Sequence, residues 1–206
     1  MEIAKNVHLL ESTKGSYVYL VLGQEPVLID TGMPKREAKM IAELATLGIS
    51  INDIAHILLT HHDVDHIGNA HALQQQSQST LWAPEKDVPY IHGDLPRHGI
   101  KRLIGKLVRV TTPKVDRVYQ PGVKIGDIEV IETPGHTPGH VSFLYGDTLF
   151  AGDLVTSKNG KLAPSPKIMS WNSQAVSRSI DKLKSFQFDW VCPAHGEPVK
   201  RTSLFG

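Results

Sequence analysis

The segment Thr60–His66 constrains this chain more than any other, because it holds five potential metal ligands within six residues directly after the apolar run Ile57–Leu59. The apolar run predicts a buried strand, and helical spacing resumes soon after the segment, so the ligands are predicted on a strand-to-helix loop. In an extended loop His61 and Asp63 project to the same side. The last two ligands of the segment fall in a turn that can address a second point. One loop could therefore serve two adjacent metals.

Three further candidate ligands each follow a predicted strand. His136 lies after the strand Ile128–Ile131, in a run of paired Pro-Gly steps that force tight turns. Asp153 ends the short apolar strand that begins at Leu149, and its two carboxylate oxygens could bridge two cations. His195 follows a third strand, in a loop marked by Pro and Gly. The order of these motifs makes their chance combination improbable.

The combination resembles the metallo-β-lactamase superfamily, whose metal loop reads His-x-His-x-Asp-His. In that family a Pro-Gly-His turn, a Gly-Asp pair and a late Gly-His or Ala-His follow. The run Val27–Gly32 matches the family's early strand, which ends in Asp-Thr-Gly. The resemblance spans nearly the whole chain and implies an α/β fold, the four-layer αβ/βα sandwich with the metals at one edge.

The resemblance also implies two divalent metal ions and a complete set of ligands for them. Asp65 would in addition be the catalytic residue, because its carboxylate could orient the nucleophile. The implied ligands are His61, Asp63 and His136 for one metal, Asp65, His66 and His195 for the other, and Asp153 between the two.

Position 63 departs from the family pattern, which has histidine where this chain has Asp63. The neighbouring His62 could be the ligand instead if the register were slipped. In an extended loop, however, His62 would point to the side opposite His61, so Asp63 is favoured and His62 stays the alternative. Zinc is the metal expected foremost. The additional carboxylate makes the site harder than the usual zinc site, which keeps manganese or iron as alternatives.

The other polar candidates receive structural interpretations. His140 begins an apolar strand and is predicted to support a ligand through a hydrogen bond. Asp30 is predicted to orient the metal loop. Cys192 is the sole cysteine, which excludes an internal disulfide, and it is predicted to be a small core residue. No coordinating role is predicted for His8, His56, His71, His92 and His98.

Length and composition favour one domain over residues 1–206, since 206 residues with 40% hydrophobic content suffice for a single packed core. The 22 basic residues nearly balance the 21 acidic ones, so charge gives no argument for nucleic-acid or membrane binding. The beginning of the chain lacks the pattern of a secretory signal, and a cytoplasmic location is expected. The oligomeric state stays open.

The segment from Pro84 to Pro113 has two open interpretations. No acidic residue lies between Ile100 and Arg109, so pairing at helical spacing cannot neutralise its basic run. The segment is either a solvated helix face or a lid over the metals that selects an anionic substrate. The basic run in its second half consists of Arg97, Lys101, Arg102, Lys106 and Arg109.

The resemblance implies a dinuclear metal-dependent hydrolase that uses a metal-bound hydroxide on a small ester-like, lactone or thioester substrate. A small molecule is therefore the expected partner. A non-haem diiron oxidoreductase of the same fold is the alternative, because such proteins place a carboxylate at the position of Asp63. A non-catalytic, metal-stabilised binding protein is a further alternative, because a ligand set does not prove that a coordination position stays open.

Overall fold

Two β-sheets lie face to face at the centre of the computed structural model, which describes residues 1–202 and 204–205. The N-terminal sheet contains seven strands in chain order: β1 (Glu2–Ala4), β2 (Val7–Leu10), β3 (Val18–Leu22), β4 (Pro26–Ile29), β5 (His56–Leu58), β6 (Thr80–Ala83) and β7 (Arg117–Val118). The C-terminal sheet contains six strands: β8 (Lys124–Ile125), β9 (Ile128–Glu132), β10 (Val141–Tyr145), β11 (Thr148–Gly152), β14 (Trp190–Pro193) and β15 (Val199–Lys200). A separate hairpin pairs β12 (Val155–Lys158) with β13 (Lys161–Pro164).

Strand direction brings the predicted ligands to one edge of the sheets. In the N-terminal sheet β4 and β5 are parallel, so Asp30 after β4 and the metal loop after β5 leave at the same edge. In the C-terminal sheet β10 is antiparallel to both β9 and β11, and β11 is parallel to β14. The strands β9, β11 and β14 therefore run in the same direction. Their carboxyl ends carry His136, Asp153 and His195.

Alternation along the strands fills the core on both faces of each sheet, as a period of two residues requires. Ile29 and Leu58 face the C-terminal sheet and pack with Phe143 and Phe150. Leu28, the residue before Ile29, faces the opposite way and packs in a second cluster beneath the helices. Both faces of each sheet are therefore covered.

Helices form the outer layers. Two helices, α1 (Glu37–Thr46) and α2 (Ala70–Gln76), cover the N-terminal sheet through Met40, Leu44 and Leu73. The C-terminal sheet is covered by α5 (Ser173–Leu183), through a buried stripe of Val176, Ile180 and Leu183. Two short helices, α3 (Val88–His92) and α4 (Lys101–Leu107), lie within the segment from Pro84 to Pro113. This arrangement confirms the predicted four-layer αβ/βα sandwich.

The helix boundaries follow the predicted capping residues in one case and not in another. Asn172, a residue type favoured at helix N-termini, caps α5, since its side chain accepts a hydrogen bond from the Ala175 amide at 2.9 Å. The sequence also predicts Pro34 in the first turn of α1, whereas the helix begins at Glu37. The side chain of Asn69 explains the delay, because it binds the Met33 carbonyl at 2.7 Å and the Arg36 amide at 3.0 Å.

Among the described residues, no helix combines the length and the apolar character needed to cross a bilayer. The assignment of residues 1–206 to one domain stays a prediction.

The contact between the two sheets can be tested by truncating Phe143. We expect Phe143→Ala to lower the free energy of unfolding by about 3–5 kcal/mol, because its ring is fully buried between the sheets. Leu107→Ala is the matched control, since Leu107 is 78% exposed and should change stability by less than about 0.5 kcal/mol. Urea unfolding at fixed metal content measures the free energy of unfolding of both variants. An equal loss of stability in the two would contradict the placement of Phe143 in the core between the sheets.

Candidate metal centre

The seven predicted ligands converge in two groups at the common edge of the sheets. Within each group the candidate ligand atoms lie within 4.8 Å of one another. We call the fully buried one the inner group; it consists of His61, Asp63, His136 and Asp153. The other, partly exposed at two of its members, is the outer group; it consists of Asp65, His66 and His195.

Asp153 connects the groups through both of its carboxylate oxygens. Its Oδ2 lies 3.2 Å from Nε2 of His136, in the inner group, and 3.2 Å from Nε2 of His195, in the outer group. Its Oδ1 lies 3.4 Å from Nε2 of His66. This is the position expected of a carboxylate between two cations.

Each of the four histidines is held through its Nδ1 atom, which leaves Nε2 directed at the centre. The Nδ1 of His61 hydrogen-bonds with Thr60 Oγ1 at 2.9 Å, and that of His66 with Asp30 Oδ2 at 2.8 Å. His195 donates from Nδ1 to the Gly15 carbonyl at 2.6 Å. The Nδ1 of His136 hydrogen-bonds with Ser165 Oγ at 2.7 Å. Such partners fix the tautomer and ring orientation of metal-binding histidines.

Asp30 orients the metal loop, as predicted. Its carboxylate accepts hydrogen bonds from the Thr60 amide at 2.8 Å and the Thr60 hydroxyl at 2.7 Å, beside its contact with His66. The backbone of Asp30 has a φ of 61°, a left-handed conformation that Asp tolerates better than most residues. Asp30 thus connects the end of β4 to the start of the loop.

Asp63 and His62 differ in which side chains they contact. Asp63 Oδ2 lies 3.0 Å from Nε2 of His136 and 3.4 Å from Nε2 of His61. His62 lies outside both groups, with Nδ1 2.8 Å from Asp87 Oδ2, Nε2 3.6 Å from Asp63 Oδ1 and its ring stacked on Tyr90 at 4.5 Å. The alternation along the loop therefore places Asp63 in the inner group.

Asp87 joins two of the three loops that carry the inner group, those after β5 and β9, and no sequence motif marks it. Besides its contact with His62, its Oδ2 accepts a hydrogen bond from the Thr137 hydroxyl at 2.7 Å. Its Oδ1 accepts one from the Gly139 amide at 2.7 Å. A Cβ at Gly139 would lie 2.7 Å from that same oxygen, so the close approach requires glycine. Asp87 is completely buried.

His140 supports Asp153 instead of joining either group, as the sequence predicts. The Asp153 amide donates to Nε2 of His140 at 3.1 Å, so the proton of the ring is on Nδ1, which donates to the Thr133 carbonyl at 3.1 Å. Burial lowers the pKa of His140 to about 3, which keeps the ring neutral. A Cβ at Gly152 would lie 2.7 Å from this ring.

The buried carboxylates create a strong preference for positive charge at the centre. Burial acts to raise the pKa of Asp153, yet the surrounding histidines hold it well below its usual value. The Asp153 carboxylate in turn raises the pKa of His195 to about 10. Burial opposes protonation of His66, but the carboxylates of Asp153, Asp30 and Asp65 raise its pKa well above the usual value. A cation would satisfy the same demand.

The polar atoms at the centre fit a metal ion. Seven buried side-chain atoms of the described residues lack a hydrogen-bond partner, three of them on Ser12 and His62. The other four belong to the two groups: Nε2 of His61, Nε2 of His66, Oδ1 of Asp63 and Oδ1 of Asp153. Leaving buried polar atoms without partners is costly unless they coordinate a ligand. Nitrogen and carboxylate oxygen atoms are suitable ligands for zinc, manganese and iron.

The segment from Pro84 to Pro113 reaches the centre through two cations that the sequence does not distinguish from the rest of the basic run. Lys101 Nζ lies 2.6 Å from Asp63 Oδ2, and Arg97 donates to the His62 carbonyl from Nη2 at 3.0 Å. Arg102 and Lys106, which also belong to the basic run, are exposed. Arg97 and Lys101 therefore contact the metal loop, whereas Arg102 and Lys106 face solvent.

Comparison with known proteins assigns the family. The model of the metallo-beta-lactamase superfamily matches residues 13–195. The chain is 31% identical to the Bacillus subtilis protein YobT over 90% of this chain and 84% of YobT. It is 26% identical to the probable metallo-hydrolase YflN of the same organism, over 96% of this chain and 86% of YflN. It is also 29% identical to a hydroxyacylglutathione hydrolase of Rhodopseudomonas palustris, over 83% of this chain but 60% of that protein.

Solved structures agree with the fold. BJP-1, a subclass B3 metallo-beta-lactamase of Bradyrhizobium japonicum, superposes with a TM-score of 0.74 at 26% identity, covering 95% of this chain and 76% of that one. TTHA1623 in a di-iron-bound form superposes with a TM-score of 0.71 at 26% identity, covering 90% of this chain and 89% of that one.

The chain therefore belongs to the metallo-β-lactamase superfamily. Membership confirms the predicted fold, and with the metallo-hydrolase relatives it confirms the predicted class, a metal-dependent hydrolase.

The placement of Asp63 and His62 predicts that substitutions at the two positions differ in their effect on metal content. We expect Asp63→Ala to bind about one metal ion per chain fewer than the unmodified protein, because it removes an inner-group ligand. His62→Asn should keep the full metal content, because His62 faces Asp87. Elemental mass spectrometry of the purified variants measures both. Loss of an ion from His62→Asn alone would reverse the assignment.

Proposed function

We propose that this protein is a dinuclear metal-dependent hydrolase that cleaves a small ester-like, lactone or thioester substrate. The inner group would hold one divalent cation and the outer group the other, with Asp153 shared between them. When bound, two such cations lower the pKa of a water molecule and polarise a substrate carbonyl. Zinc is the metal proposed foremost, with manganese or iron as alternatives.

The observation that carries the proposal is the convergence of four Nε2 atoms, each on a ring whose Nδ1 is already bound. A histidine with a structural role would direct either nitrogen at its partner. Four rings that direct the same nitrogen at one centre, among three carboxylates, are arranged to bind cations.

Asp65 is the proposed catalytic residue. Its Oδ2 lies 3.2 Å from Nε2 of His195, and both residues are partly exposed, unlike the inner group. A carboxylate on the open side can accept a hydrogen bond from the attacking water and orient it toward a carbonyl. No serine or cysteine nucleophile is needed, and Cys192 is completely buried with its pKa raised by burial.

A thioester is the substrate class that the relatives favour. The hydroxyacylglutathione hydrolase of Rhodopseudomonas palustris bears the name of a thioester hydrolase, although the chain spans 60% of that protein. A small-molecule substrate and a cytoplasmic location are parts of the same proposal.

A non-haem diiron oxidoreductase is the second candidate, and Asp63 is the observation that favours it. Asp63 adds a third carboxylate to the two groups, and a ligand set richer in oxygen suits iron or manganese better than zinc. The similar protein TTHA1623 binds two irons. A non-catalytic metal-binding protein is a third candidate, which binding of a small molecule without turnover would favour.

Metal identity separates the first two candidates. We expect about two zinc or manganese ions per chain by elemental mass spectrometry, after expression in medium supplied with zinc, manganese and iron together. Predominant iron that falls in Asp63→His would favour the oxidoreductase instead. A panel of thioesters, lactones and phosphoesters then tests hydrolysis directly.

The role of Asp65 is tested by Asp65→Asn. We expect kcat to fall about 100-fold or more on whichever substrate of the panel is cleaved, with the fold retained. Asp181→Asn is the matched control, because Asp181 is exposed and pairs only with the exposed Lys184 on the described surface. Full turnover by Asp65→Asn would refute the assignment.

A further inference from the structure

Lys101 is a buried lysine whose ammonium group lies among the inner-group ligands. It is 5% exposed, and lysine is rarely buried unless it is paired. Its Nζ lies 2.6 Å from Asp63 Oδ2 and 2.8 Å from Nε2 of His136, and it donates to the His136 carbonyl at 3.2 Å. Lys101 thus contacts the carboxylate and the imidazole nitrogen that the inner group would offer to a metal.

A divalent cation and this ammonium group cannot use the same two atoms. Like charges at such separations in a buried site repel strongly. The Nε2 of His136 offers a single lone pair, since its Nδ1 is already bound to Ser165. Occupation of the inner group therefore requires Lys101 to withdraw.

The helix that carries Lys101 has little else to hold it. Of the seven residues of α4, all of them described, Lys101 alone is buried. Leu103 is 59% exposed, Leu107 is 78% exposed and Ile104 is half-buried, so the apolar side chains of α4 contribute limited packing. A helix of this length is marginal without tertiary contacts. The contacts of Lys101, together with the hydrogen bond from Arg97 to the His62 carbonyl, therefore restrain the start of α4.

We propose that Lys101 competes with the inner metal ion for Asp63 and His136, so that metal binding releases α4 from the metal loop. This inference rests on the assignment of the inner group as a metal site in the proposed function. The two events are linked: the contacts of Lys101 with Asp63 and His136 lower the affinity for the metal ion, and metal binding weakens those contacts by the same free energy. Binding of the inner ion and the closure of α4 over the metal loop by Lys101 therefore oppose each other.

The competition is tested by Lys101→Met, which keeps the length of the side chain and removes its charge. We expect the inner zinc ion to bind at least about tenfold more tightly to this variant than to the unmodified protein, in titrations against a chromophoric chelator. Lys106→Met is the matched control on the same helix, since Lys106 is exposed, and it should bind zinc like the unmodified protein. Unchanged or weaker zinc binding by Lys101→Met would overturn the inference.

The release of α4 is tested by hydrogen exchange of residues 97–108 in the unmodified protein and in Lys101→Met, before and after zinc is added. We expect the amides of the unmodified protein to exchange faster with zinc, whereas those of Lys101→Met exchange fast in both states. Slower or unchanged exchange of the unmodified protein on zinc binding would overturn the inference.

The two proposals fail in different ways. If neither the unmodified protein nor Lys101→Met binds about two ions per chain, the proposed function fails, and this inference fails with it. If two ions bind and Lys101→Met behaves like Lys106→Met, the inference fails while the metal assignment stands.

Discussion

The hydrogen bonds between Asp30 and the metal loop are the interaction on which the site depends. One carboxylate binds the Thr60 backbone, the Thr60 hydroxyl and the His66 ring, and through Thr60 it also fixes His61. Because these groups are buried, removing their partner would leave several unsatisfied donors in the core. The strained φ of Asp30 is maintained by the same contacts. A single residue at the end of β4 therefore sets the geometry of ligands in both groups.

Asp87 performs the corresponding function between the two sheets. It binds the metal loop through His62 and the turn after β9 through Thr137 and Gly139, so ligands from different sheets keep a common position. Asp30 and Asp87 act through other residues and take no part in either group. The centre is thus fixed by carboxylates that surround it as well as by those within it.

The convergence of the seven candidate ligands could be predicted from the sequence because each one follows an apolar strand and lies in a local turn marked by Gly or Pro. Alternation along the loop is enough to separate Asp63 from His62. Contacts between distant segments leave no such signal. Asp87 lies 25 positions from His62, and Lys101 lies 35 positions from His136, so neither is marked by local spacing. The start of α1 is mispredicted for the same reason, since Asn69 holds Met33 from a distant loop.

The difference in burial between the two groups has a kinetic consequence. Asp65 and His195 are partly exposed, whereas every member of the inner group is buried. Solvent therefore reaches the outer ligands more readily than the inner ones. In the proposed dinuclear enzyme, the outer position would be the one at which a chelator or a competing cation acts first.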